Sequence, residues 1–117
     1  MTDIDLRDRL QQARDQLAAA EHALSASTPT PAALHTAVHG AMQISAALAA
    51  LVQAVMHQAP IALDHTSGPL LEELRADLRA MHGCLITGHK LLAPARDDLQ
   101  HFVTNPNTAR QPDPGQR

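Results

Sequence analysis

Residues 31–58 read PAALHTAVHGAMQISAALAALVQAVMHQ, inside a longer stretch between Glu21 and Asp64 that contains no Asp, Glu, Lys or Arg. Such a run must be buried against protein. Its apolar side chains recur at steps of three and four, as they do along one side of an α-helix. Two stripes overlap on it: Leu34, Val38, Ala41, Ser45, Leu48, Val52 and Val55, and Ala37, Ala41, Ile44, Leu48, Leu51 and Val55. An apolar face of double width touches more than one neighbour, so this helix is expected at the centre of the fold. Thr30 suits an N-cap with Pro31 in the first helical position, and Pro60 sets the expected end at Gln58.

Amphipathic helices flank this centre. The first is expected from Asp3 to Ser25, where Leu6, Leu10, Ala13, Leu17, Ala20 and Leu24 form a heptad seam with Arg7, Arg14, Asp15 and Glu21 kept off it. Ser27 to Pro31 break it. After a loop from Ala59 to Gly68, Pro69 opens a third helix with the seam Leu71, Leu74, Leu78, Met81, Leu85, Gly88, Leu92, Ala95, Leu99 and Phe102. That phase persists across Pro94, which predicts a kink there, or a split that leaves a short fourth helix from Pro94 to Val103. In a hairpin of the second and third helices Gly88 falls level with Gly40, so a close backbone crossing is expected. From Asn105 to Arg117 the prolines and the lack of periodicity predict a disordered tail. The expectation is one all-α domain over residues 1–104, an up-down-up bundle of three long helices.

Composition narrows the function. The chain's 117 residues leave room for one core, and Phe102 is the sole aromatic residue, so that core is built from Leu, Ala, Val, Ile and Met. A core of so little bulk predicts self-association. A net charge of −3, with only Lys90 and eight scattered arginines, argues against a nucleic-acid partner. Cys84 is alone and cannot form an internal disulfide. The polar start, Met1 to Arg9, does not read as a secretory signal, and the least polar window, Ala41 to Met56, is shorter than the roughly 20 residues of a membrane span. A soluble, cytoplasmic protein without a membrane partner is therefore expected. The preference for Arg over Lys, with abundant Ala, fits a GC-rich bacterial genome.

Eight histidines invite a metal reading. His35 and His39 share a helix face, and the hairpin alignment brings His39 level with His89, with His22 in the same layer. Three converging imidazoles would suit Zn²⁺ or Cu²⁺. Against this, His22 and His39 lie off the seams, and no HExxH, paired ExxH or paired-cysteine spacing is present. A di-iron carboxylate bundle is excluded, and the primary expectation is boundary histidines with no cofactor. Met42, Met56 and Met81 fall at core spacings, and Cys84 reads as a small hydrophobe. Glu72, Glu73, Arg75, Asp77 and Arg79 read as a solvated face.

A second pattern is Arg96-Asp97-Asp98-Leu99-Gln100-His101, an arginine, a polar residue and a histidine beyond three more; Arg75 and His82 fit a looser version. It resembles the active-site motif of the HEPN family of helical, metal-independent ribonucleases. The resemblance implies a ribonuclease or toxin-related protein in which Arg96 positions phosphate and His101 handles the 2′-hydroxyl proton, with a dimer joining two motifs. It covers six residues, and no tyrosine follows His101. Five residues turn a helix by about 500°, leaving these two side chains roughly 140° apart. The reading preferred on sequence is a non-enzymatic interaction or accessory protein, a homodimer with Ile44, Leu48, Leu51 and Val55 in its interface.

Overall fold

Helix ends are set by local hydrogen bonds. Thr2 caps α1 (Asp3–Ala26): its Oγ1 accepts from the Asp5 N–H at 3.2 Å, while the Asp5 carboxylate accepts from the Thr2 N–H at 3.3 Å. Thr30 caps α2 (Pro31–Ala62), accepting from the Ala33 N–H at 3.0 Å with Pro31 in the first position. The third helix, α3, spans Gly68–Thr104. The structure, a computed structural model, describes residues 2–64 and 68–104. It is all-helical, with three helices and no strand among the described residues. The tail expected to be disordered, residues 105–117, lies outside them.

Neither internal proline ends its helix. α2 runs through Pro60 to Ala62 instead of stopping at Gln58. Pro60 denies a donor to one carbonyl near the end of α2, where the ladder is already running out, and the Leu63 N–H still reaches the Ala59 carbonyl at 2.9 Å. α3 likewise continues past Pro94 to Thr104, so no separate fourth helix forms. Leu92, Arg96, Leu99 and Val103 are all partly buried, so packing is maintained on both sides of the proline.

α2 and α3 form an antiparallel hairpin packed along its length, whereas α1 makes no more than marginal contact with either. Among the described residues the buried ones are Met42, Ala49, Val52 and Ala59, all on α2. With Val38, Ser45 and Met56, which are partly buried, they form a heptad seam. It shares Val38, Ser45 and Val52 with the first expected stripe and no residue with the second. On α3 a partly buried row runs through Leu71, Arg75, Leu78, His82, Leu85, His89, Leu92, Arg96, Leu99 and Val103, with Leu74, Ile86, Gly88 and Ala93 also partly buried beside it. Seven of the ten residues of the expected seam are partly buried, Leu74 and Gly88 among them, while Met81, Ala95 and Phe102 are exposed. Alanines on α2 leave space, and arginine stems can cover apolar surface while their charged ends reach water. That compatibility lets the hairpin close over a mixed seam.

The expected glycine crossing is not formed: a Cβ added at Gly40 or Gly88 would meet nothing within 4 Å. The radius of gyration is 20.1 Å, against about 13 Å for a compact chain of this length. Accessible surface amounts to 8997 Å², roughly 2,800 Å² more than a compact monomer of this mass exposes. Every residue of α1 is exposed.

Candidate interaction surface

The side of α2 that sequence reading assigned to an interface is open. Ile44 is 43% exposed, Leu48 39% and Val55 44%, with Leu51 partly buried. This stripe lies about a quarter turn from the seam that meets α3. Met81 and Phe102 on α3 are also exposed. They are displaced from their own seam in the same helical sense, which in an antiparallel pair puts them on the same side of the hairpin as the α2 stripe. One face of the hairpin is therefore broad and apolar.

At one end that face runs into the elbow between α1 and α2. Leu17, Ala20 and Leu24 from α1, with Ala33, Ala37, Gly40, Ala41 and Ile44 from α2, line a cleft of about 680 Å³ whose only charged lining residue is Glu21. Its α2 side is made of small residues. Its α1 side carries leucines of the heptad seam, and Ile44 joins the cleft to the open face. An apolar helix fits such a surface better than a polar small molecule, because the walls offer hydrophobic contact and few directed hydrogen-bonding groups. Sequence reading missed the cleft, since it assumed that α1 packed down beside α2.

The histidines are placed differently from the metal expectation. His35 and His39 stack on one face of α2, ring centroids 6.1 Å apart and 4° from parallel. His89 lies within 2.8 Å of the Met42 carbonyl through its Nδ1. A carbonyl only accepts, so the Nδ1 carries the proton and donates across the α2–α3 interface. His22 is exposed on α1. No three His, Cys, Asp or Glu residues come together to hold a metal ion among the described residues. The sequence did contain a signal for His89, which stands at heptad spacing from Leu85 and Leu92, but the seam was drawn through Gly88.

The residues of the ribonuclease-like pattern are not assembled either. Arg96 turns to its neighbour Asp97, with Nη2 3.2 Å and Nε 3.3 Å from the same carboxylate oxygen. His101 is exposed and meets Phe102 edge-on at 6.3 Å. In the looser pair, Arg75 lies 3.7 Å from Glu72, and His82 is partly buried two turns further along the seam. Cys84 is exposed. Contrary to the sequence reading of this region as too short for a membrane span, α2 is long and apolar enough to cross one by length and composition. A mostly buried core helix passes the same test, but only 17% of this window is buried. No protein-family model matches this chain, and neither a curated protein nor a solved structure is significantly similar to it.

Proposed function

We propose that the chain is a non-enzymatic interaction protein that self-associates through the open face of its hairpin, with Ile44, Leu48, Leu51 and Val55 at the interface. The observation that carries this reading is the continuous apolar surface from the elbow cleft along α2, uncovered in a single chain. Contiguous apolar patches of that kind mark protein contacts. In the proposed assembly the up-down-up bundle is completed between chains, and a bend at Pro94 lets the end of α3 follow its neighbours.

Size-exclusion chromatography with light scattering tests it. The expected mass at high micromolar concentration is that of a dimer, unchanged by zinc, copper or a chelator. Leu48→Asp should yield a folded monomer, because Leu48 is exposed in the single chain and the charge is penalised only when the face is covered. A strictly monomeric parent protein contradicts the proposal. Sedimentation of the parent, but not of Leu48→Asp, with phosphatidylcholine vesicles would assign the face to lipid instead.

A further inference from the structure

We infer that two copies pair through their α1 helices in antiparallel fashion, each placing the N-terminal half of its α1 in the other's elbow cleft. This rests on the self-association proposed above and names the segment that fills the cleft. Leu6, Leu10, Leu17 and Leu24 are all exposed on α1, so the seam lacks a cover in the single chain.

The seam is complementary to its own reverse. In heptad terms Leu10, Leu17 and Leu24 occupy a, and Leu6, Ala13 and Ala20 occupy d. An antiparallel pair stacks a against d of the other copy, which sets Leu6 opposite Leu24, Leu10 opposite Ala20, and Ala13 opposite Leu17. Small meets large in the four central contacts. A parallel pair would instead stack Ala13 and Ala20 on their own copies and leave gaps.

Charges point the same way. Across the antiparallel pair Arg7 flanks Glu21 of the other copy, twice by symmetry, and Glu21 is the charged residue of the cleft. In the parallel pair Arg9 would face Arg14 of the other copy on both sides. The antiparallel pair has one unfavourable element, Arg14 near its own copy at the symmetry axis. There the exposed Arg14 guanidinium also donates to Gln11 at 3.4 Å.

Cysteine cross-linking of the full chain tests the pairing. In a Cys84→Ser background, Leu10→Cys with Ala20→Cys places two cysteines about 15 Å apart on one helix, too far to bridge within a chain. The antiparallel register sets each opposite the other's counterpart. Mild oxidation should convert most of the double variant to covalent dimer and little of either single variant. Equal cross-linking of the Leu10→Cys variant alone overturns the register in favour of a parallel pair. A dimeric parent whose double variant does not cross-link overturns the α1 pairing and leaves self-association standing. A monomeric parent overturns both.

Discussion

The α2–α3 hairpin and α1 obey the same helix-forming rules and end in opposite situations. α1 has the better start, with a reciprocal capping box and a regular leucine seam, yet none of its residues is buried. α2 carries a glycine, three histidines and two prolines in its length, yet among the described residues it holds all the buried ones. Helix formation and burial are therefore separate questions. Caps and propensity determine that a helix can form, while a facing surface determines whether tertiary packing stabilises it. In a single chain the hairpin has that surface and α1 does not.

Substitutions can break this contrast at either end. Val52, 5% exposed, faces α3, and Val52→Asp should cost about 3–5 kcal/mol by leaving a charge buried and unpaired. Circular dichroism during denaturation should register loss of the hairpin even in dilute protein. Leu10→Asp, which places a charge on the exposed seam of α1, should leave the same hairpin transition unchanged and abolish the dimer seen by light scattering. If both variants lowered the hairpin transition equally, the two regions would not be independent.

Smaller changes sharpen the comparison. His89→Ala removes the hydrogen bond to the Met42 carbonyl and should cost about 1 kcal/mol of hairpin stability, measured in urea. Gly83→Ala should stabilise α3 by roughly 0.5–1 kcal/mol, because the added methyl meets nothing within 4 Å. Gly40→Ala should bring the same gain in dilute protein, since its methyl is equally unopposed within the chain. Gly40 also lines the elbow cleft, so there the gain should be offset by weaker association at high concentration.

Helix positions were legible because they depend on local chemistry: Thr30 and Pro31 announce the start of α2, and the heptad of α1 is visible in its leucines. Packing was not, because α2 offers several stripes at helical spacing and periodicity cannot rank them. Val52 stands in one expected stripe and Met42 at a core spacing, and both are buried, but the seam also takes Ala49 and Ala59, which belong to neither stripe, and leaves Leu48 and Val55 open. The same competition on α3 exchanged Met81 and Phe102 for His82 and Val103. The open position of α1 could not be read at all, for a leucine seam states that a partner is required and not whether that partner belongs to the same chain.

Hydrogen exchange at two protein concentrations tests the central claim most directly, because it reports protection helix by helix. Most of a helix's stability in a protein comes from packing its apolar face, which α1 lacks in a single chain. Amides of Asp3–Ala26 should therefore exchange rapidly in dilute protein and become protected as concentration rises, while the seam around Met42, Ala49 and Val52 stays protected throughout. Protection of α1 that is high and independent of concentration would contradict the account, since it would mean that α1 finds its cover within its own chain.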